Sequence, residues 1–109
     1  QQSKGGQVMS IFLEYVPGGS LRRVLSMFGP LDEVLVRQYT RQVLQGLEYL
    51  HANRTIHRDI KGANILLDTS GTVKLADFGC SKIYEDVLSA TNNNKTVKGT
   101  PYWMAPEVI

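Results

Sequence analysis

The apolar and polar positions at the start of the chain predict a strand followed by a turn. Residues 8–13 (VMSIFL) are rich in β-branched and aromatic side chains, which predicts a strand from Val8 to Glu14 that is buried on at least one face. Proline and paired glycines in residues 15–20 (YVPGGS) then end the regular structure. We therefore expect a polar loop over residues 1–7, then this strand, then a turn.

Two helices are predicted next. Ser20 has the chemistry of an N-cap for a short helix that continues through Met27, where a Gly-Pro pair ends it. A longer helix begins near Asp32, whose charge suits the positive end of the helix dipole, and continues to His51. Its apolar residues recur at three- and four-residue intervals, which predicts one core-facing side formed by Val36, Tyr39 or Thr40, Val43, Leu47 and Leu50.

The remaining pattern predicts a hairpin and a long loop. Residues 65–67 and 72–75 are β-rich and are joined by residues 68–71 (DTSG), which indicates a hairpin with turn residues at its tip. Residues 82–98 contain many Ser, Thr and Asn side chains and few large apolar ones after Leu88, which predicts a loop. The fold class expected from these elements together is α+β.

Composition limits the classes of function. The chain has 109 residues, the size of one ordinary domain, and its 42% apolar and 20% charged residues suit a soluble globular chain. It has no run of about eighteen apolar residues and no signal-like start, so we expect no membrane partner. The net charge is only +2, and the lysines and arginines are scattered along the chain rather than clustered, which argues against nucleic acid as a partner. Cys80 is the single cysteine, which is consistent with an intracellular, cytoplasmic protein.

Three short motifs carry the candidate chemistry. Residues 57–64 (HRDIKGAN) satisfy H-R-D-x-x-x-x-N, and residues 77–79 are D-F-G, with Asp77 eighteen residues after Asp59. Residues 105–107 are A-P-E. Each motif alone could be an ordinary turn, loop or helix start, but the ordered set is far rarer. The chain therefore resembles a eukaryotic protein kinase along essentially all of its length, which implies a partial protein-kinase-like fold.

The resemblance implies a role for each polar residue of these motifs. Asp59 accepts or orients the proton of the substrate hydroxyl, while Asn64 and Asp77 hold Mg²⁺. Lys61 meets the γ-phosphate of ATP, and a lysine at this offset is typical of serine/threonine kinases. Thr100 hydrogen-bonds the base and the lysine, which favours a serine or threonine hydroxyl as the acceptor. ATP and Mg²⁺ are the implied cofactors.

The resemblance also implies an ATP-binding pocket at the turn after the first strand. The backbone carbonyl of Glu14 and the backbone N–H of Val16 bind adenine in this interpretation. Leu13 is the gatekeeper at the back of the pocket, Leu66 forms its floor, and Ser20 contacts the ribose. Taken alone, the segment is explained equally well as a strand followed by a turn, and only the later motifs favour the pocket.

Residues between D-F-G and A-P-E correspond to the activation segment of a kinase. Arg58 precedes the base and is the residue that pairs with a phosphate added to this segment. The candidate acceptors are Thr96, then Thr91, with Ser89 and Ser81 behind them, and each of these hydroxyls could equally serve only to keep a loop soluble. An upstream activating kinase or autophosphorylation would add the phosphate.

The chain resembles only a central part of a kinase domain. It contains neither a G-x-G-x-x-G motif nor a lysine of the V-A-I-K type. The implied division places the last upper-lobe strand and hinge at about 7–19 and a lower-lobe part at about 20–109. We expect this part alone to be loosely folded, because its apolar faces lack partner surface, and to be inactive as an isolated fragment.

Within the serine/threonine kinases, three segments decide the subgroup. Residues 12–21, 57–64 and 99–107 (GTPYWMAPE) are most similar to mitogen-activated protein kinase kinase kinases, including the plant type. The implied partner is a downstream kinase whose activation loop supplies the hydroxyl. Two alternatives stay open at this point: a Ste20-like kinase, and a pseudokinase or kinase-like fragment that acts as a binding module.

Overall fold

The computed structural model describes residues 6–78, 82–83 and 99–108. Within these residues, two helices and four short strands occur in the order α1 (Leu21–Phe28), α2 (Glu33–Ala52), β1 (Thr55–Ile56), β2 (Ile65–Leu67), β3 (Val73–Leu75) and β4 (Lys82–Ile83). Short 3₁₀ turns cover Gly62–Asn64, Pro101–Trp103 and Pro106–Val108. The α+β composition agrees with the sequence prediction.

Both helices lie close to their predicted bounds. The hydroxyl of Ser20 caps α1 by accepting a hydrogen bond from the backbone N–H of Arg23 at 3.2 Å. Gly29 ends this helix with a φ of 74°, a left-handed conformation that glycine adopts at little cost. α2 begins after Asp32 and continues to Ala52. Neither of these described helices has the length and hydropathy required to cross a membrane.

One side of α2 is fixed to the hairpin of β2 and β3. The Gln42 amide nitrogen donates to the carbonyl of Gly71 at 3.0 Å, and its oxygen accepts from the N–H of Val73 at 2.8 Å. One turn further, a Cβ on Gly46 would lie 3.1 Å from Cδ1 of Leu75, so helix and strand approach closely. The polar side chain and the glycine together set the distance and the rotation of α2 relative to the hairpin.

The side of α2 that faces inward differs from the predicted one at Val36, and of the two predicted alternatives at the next position Tyr39 faces inward. Tyr39 is half-buried and Thr40 exposed, while Val36 is 46% exposed and its neighbour Leu35 is half-buried instead. The remaining predicted positions, Val43, Leu47 and Leu50, are half-buried. The expectation for Val36 was wrong because the hairpin meets α2 along the line through Gln42 and Gly46, which the apolar spacing did not reveal.

The predicted hairpin is present. β2 and β3 are antiparallel and pair Ile65 with Leu75, Leu66 with Lys74, and Leu67 with Val73. Backbone pairing continues beyond the strands, where the N–H of Ala76 donates to the carbonyl of Asn64 at 2.9 Å. The buried apolar residues of the described chain are Ile65 and Leu67, which share one face of β2. The small core therefore lies between this hairpin and the helices.

A second strand pair was not expected. β1 and β4 are antiparallel, with Thr55 opposite Ile83 and Ile56 opposite Lys82. The predicted loop of residues 82–98 was therefore wrong for its first two residues. Two-residue strands form only when a partner distant in sequence supplies the hydrogen bonds, and local composition carries no information about that partner.

The predicted amino-terminal strand is absent. Residues 8–14 belong to no strand, and their apolar side chains are exposed, by 90% at Val8, 94% at Phe12 and 85% at Leu13. A strand needs a neighbouring backbone to complete its ladder, and no described residue pairs with this stretch. The β-branched pattern therefore predicted the wrong structure and the wrong burial for these residues.

Candidate active site

His57 joins the loop between β1 and β2 to the end of the hairpin. The imidazole is only 1% exposed, and its Nδ1 accepts a hydrogen bond from the N–H of Asp59 at 3.1 Å. Since Nδ1 is the acceptor, the proton lies on Nε2, which donates to the carbonyl of Ala76 at 2.7 Å. Sequence analysis gave His57 no role, although its place in H-R-D-x-x-x-x-N was a signal that could have indicated one.

A chain of three side chains links residue 59 to residue 100. The hydroxyl of Thr100 donates to Oδ1 of Asp59 at 2.7 Å and accepts from Nζ of Lys61 at 2.6 Å. The lysine ammonium lies 3.8 Å from Oδ2 of the same carboxylate, and the two side chains are only 22% and 10% exposed. The structure thus brings together the three residues that the sequence had proposed as catalytic, across 41 positions of the chain.

These contacts lower the pKa of Asp59. The hydrogen bond from Thr100 contributes most, and partial burial opposes it by disfavouring the charged form. The charge of Lys61 and the hydrogen bond from Asn64 lower the pKa further. Asp59 is therefore a carboxylate at neutral pH, aligned by donors on both of its oxygens.

Asn64 is oriented by the same carboxylate residue. Its amide nitrogen donates to the backbone carbonyl of Asp59 at 2.8 Å and to Oδ2 at 3.2 Å. The side chain is buried, with the residue 6% exposed. Because the nitrogen is used in this way, the amide oxygen is the group that Asn64 presents to a cation.

Asp77 follows directly after the backbone pair that joins Ala76 to Asn64. It is exposed and has a φ of 58°, a conformation that costs a residue with a side chain on the order of 1 kcal/mol. The hairpin therefore brings both predicted metal ligands to its open end, as expected. The described part of the chain has no group of three or more His, Cys, Asp or Glu side chains able to hold a metal. An amide oxygen and a carboxylate nevertheless suit Mg²⁺, which takes its other ligands from phosphates and water.

Gly99 allows residue 100 to reach residue 59. Its φ is 118°, and a Cβ at this position would lie 2.8 Å from the carbonyl oxygen of Arg58 and 2.9 Å from Cε of Met104. Any larger residue would push the following threonine away from the carboxylate. The close approach that requires a glycine here is a tertiary feature.

Two of the residues predicted to bind the nucleotide, Ser20 and Leu66, are paired at β2. The carbonyl of Gly19 accepts from the N–H of Leu67 at 2.8 Å, and Ser20 forms a β-bridge with Leu66. A Cβ on Gly18 would lie 2.0 Å from the carbonyl oxygen of Leu67, so only glycine fits there. The predicted ribose contact and the predicted pocket floor are thus neighbours. The Ser20 hydroxyl accepts from the helix backbone, which leaves its proton available for a further hydrogen bond, and its contact with the ribose stays a prediction.

The remaining predicted adenine contacts lie on the stretch before this bridge. Val16 is half-buried at the turn, where its carbonyl accepts from the N–H of Gly19 at 3.4 Å. The carboxylate of Glu14 forms an ion pair with Lys74 on β3 and raises the pKa of that lysine, mainly through the hydrogen bond. Leu13 is exposed, so the described residues do not enclose the expected gatekeeper position. The adenine roles of these residues stay predictions.

Of the predicted regulatory residues, the structure describes only one. Arg58 is half-buried and has a φ of 67°. The four candidate phosphate acceptors, Ser81, Ser89, Thr91 and Thr96, lie outside the described residues. Their pairing with Arg58 stays a prediction.

An open depression of about 440 Å³ lies along α2, away from these groups. It is lined by Arg37, Thr40, Arg41, Leu44, Gln45 and Glu48. None of the predicted catalytic, nucleotide or metal residues lines it. The site is therefore defined by the hydrogen-bonded groups around Asp59 rather than by this depression.

Comparison with known proteins shows the family to which the chain belongs. Residues 3–109 match the family described as the protein kinase domain, and the chain belongs to that family. Relatives similar to it include proteins named mitogen-activated protein kinase kinase kinases. The chain is 59% identical over 101 residues to mitogen-activated protein kinase kinase kinase A of Dictyostelium discoideum and, over the same length, to mitogen-activated protein kinase kinase kinase ANP1 of Arabidopsis thaliana. It is 50% identical over 108 residues to mitogen-activated protein kinase kinase kinase 3 of Mus musculus.

These alignments cover most of this chain but little of each relative. They include 93% of the chain for the Dictyostelium and Arabidopsis proteins and 99% for the mouse protein. The chain spans 10%, 15% and 17% of the length of those relatives, in the same order. The resemblance to mitogen-activated protein kinase kinase kinases and the kinase-like α+β fold, both predicted from sequence, are confirmed.

Proposed function

We propose that the protein transfers the γ-phosphoryl group of ATP to a serine or threonine hydroxyl of a protein substrate. The observation that carries this proposal is the chain of hydrogen bonds from Lys61 through Thr100 to Asp59. It places an ionised carboxylate and a cation a few ångströms apart. Phosphoryl transfer requires a proton acceptor and a positive charge that binds phosphate.

In the proposed step, the substrate oxygen forms a bond to the γ-phosphorus while the bond from that phosphorus to the β-phosphate oxygen breaks. ADP leaves, and the hydroxyl proton passes to the carboxylate of Asp59. The lowered pKa of Asp59 keeps this carboxylate ionised before the step. Thr100 holds one of its oxygens, and Lys61 balances the charge of the transferred group.

The Mg²⁺ ions would be held by the amide oxygen of Asn64 and the carboxylate of Asp77. When bound, they neutralise charge on the phosphates. The contribution of this chain is to orient the ligands: Asp59 fixes the amide of Asn64, and the backbone pair between Ala76 and Asn64 fixes the start of the D-F-G turn.

The resemblance to mitogen-activated protein kinase kinase kinases supports a narrower proposal. The substrate would be a downstream kinase of such a cascade, phosphorylated on its activation loop inside the cell. The protein itself would be activated by another kinase or by autophosphorylation, with Arg58 receiving the added phosphate.

The test is Asp59→Asn in the full-length protein. We expect phosphorylation of a generic protein substrate to fall by about 10²- to 10⁴-fold, because the amide cannot accept the proton. The variant should still bind ATP, which is measured with a fluorescent ATP analogue. Asp32→Asn is the matched control, since Asp32 is an exposed residue before α2. Unchanged phosphorylation by Asp59→Asn would refute the role of this carboxylate.

A further inference from the structure

Trp103 lies against the ammonium group of Lys61. Nζ of the lysine is 5.9 Å from the centroid of the indole ring, within the range of a cation–π contact. Trp103 is 54% exposed, so its ring is not part of the buried core. The lysine side chain, in contrast, is only 22% exposed. The indole covers one side of a lysine that would otherwise be open to water.

The position of this ring is fixed relative to Thr100. Both residues belong to one tight turn, in which the N–H of Trp103 donates to the carbonyl of Thr100 at 3.0 Å. Pro101 restricts the backbone between them. The ammonium of Lys61 is therefore held from two sides by one rigid element, by a hydroxyl at 2.6 Å and by an aromatic face.

The chemistry of the two contacts differs in a way that matters for phosphate binding. An ammonium has three donors, and the hydroxyl uses one of them. An aromatic face attracts the cation electrostatically and carries no net charge, whereas a carboxylate would neutralise the charge of the cation. A lysine held by this hydroxyl and this ring keeps two donors for an incoming phosphate, and the nearest carboxylate oxygen, Oδ2 of Asp59, lies 3.8 Å away.

We propose that Trp103 is a positioning residue for Lys61, which holds the ammonium in place for the γ-phosphate. The inference rests on the proposed function and extends it by linking the turn at residues 100–103 to the cation proposed to bind the γ-phosphate. Movement of the turn at residues 100–103 displaces both contacts of Lys61 together.

The test is a double-mutant cycle in the full-length protein, with kcat measured at saturating ATP and substrate. We expect Trp103→Leu to lower kcat by about two- to fivefold, and Trp103→Phe, which keeps an aromatic face, to restore most of the loss. In a Lys61→Met background, Trp103→Leu should have no further effect. An equal loss in both backgrounds would mean that Trp103 acts independently of Lys61 and would overturn the inference.

A second measurement follows the contact itself and does not need activity. In a ¹³C-methylated lysine NMR spectrum, the signal that disappears in Lys61→Met should be shifted upfield by the indole ring. The shift should persist in Trp103→Phe and vanish in Trp103→Leu. Absence of the shift in the native protein would overturn the inference. If the native protein lacked phosphotransfer but showed the shift, the proposed function would fail while the contact stood.

Discussion

The loop of residues 57–64, here called the catalytic loop, and residues 8–16, here called the amino-terminal stretch, both contribute to the proposed site. The two segments are held in different ways. In residues 57–64, His57 and Asn64 are buried, and the carboxylate of Asp59 receives hydrogen bonds on both oxygens. In residues 8–16 the large apolar side chains are mostly exposed, and no strand forms. The same site therefore has one part fixed within this chain and one part that is not.

The difference follows from where each part finds its partners. The loop lies between β1 and β2, and its polar groups bond to Ala76 and Thr100, both within the described chain. The amino-terminal stretch is joined to the rest by the ion pair of Glu14 with Lys74 and by the following residues 19–20, which pair with β2. The part proposed to handle the proton and the phosphate is thus held by contacts within the described residues, whereas the part proposed to bind adenine has large apolar side chains that the described residues leave exposed.

The largest expected effect comes from breaking the fixed half at His57. His57→Ala removes a buried ring and leaves the N–H of Asp59 and the carbonyl of Ala76 without their partner. We expect the free energy of unfolding of the full-length protein to fall by about 3 kcal/mol in denaturant titrations. His51→Ala is the matched control: this second histidine is exposed on the last turn of α2, and its loss should cost less than about 0.5 kcal/mol. Equal effects of the two variants would contradict the comparison.

A smaller effect on stability is expected at Gly18, where the segment after the amino-terminal stretch meets β2. Gly18→Ala places a Cβ 2.0 Å from the carbonyl oxygen of Leu67, so the segment must move away from the pocket floor. We expect a loss of about 2 kcal/mol in stability and a higher KM for ATP, with kcat at saturating ATP much less affected. Gly6→Ala, which adds a Cβ with nothing within 4 Å, serves as the control. A drop in kcat without a change in KM would place Gly18 with the catalytic loop instead.

The smallest effect is a displacement of the pH profile. The pKa of Asp59 lies below 3.8, so its ionised contacts stabilise the fold above that pH and are lost as the pH falls through the folded pKa. Thr100→Val removes the largest cause of this lowering, so the pKa should rise and the acid limb of kcat/KM should move to higher pH. Thr40→Val, at an exposed position of α2, should leave the acid limb in place. An unmoved limb in Thr100→Val would show that this hydroxyl does not set the pKa.

Sequence reasoning predicted the hairpin and both helices because each depends on signals that are local or ordered along the chain. It also named Asp59, Lys61 and Thr100 together, and the structure brings these three side chains into contact, while their catalytic roles stay predictions. Ser20 caps α1 through a bond three residues away, and the turn before β3 carries its own turn residues. It failed for residues 8–14 and for β4, because strand pairing depends on a distant backbone. It also missed the structural roles of His57 and Gly18, which arise from contacts across the fold.

By itself, the sequence determined which groups can perform the chemistry: a carboxylate, a lysine, an amide and a threonine in a recognisable order. Only the tertiary structure decided how they act together. The tautomer of His57, the lowered pKa of Asp59 and the two contacts of Lys61 each depend on atoms from segments at least 19 positions apart. Hydrogen bonds and charges act through space over a few ångströms, so their effects on a group appear only once the fold has brought the partners together.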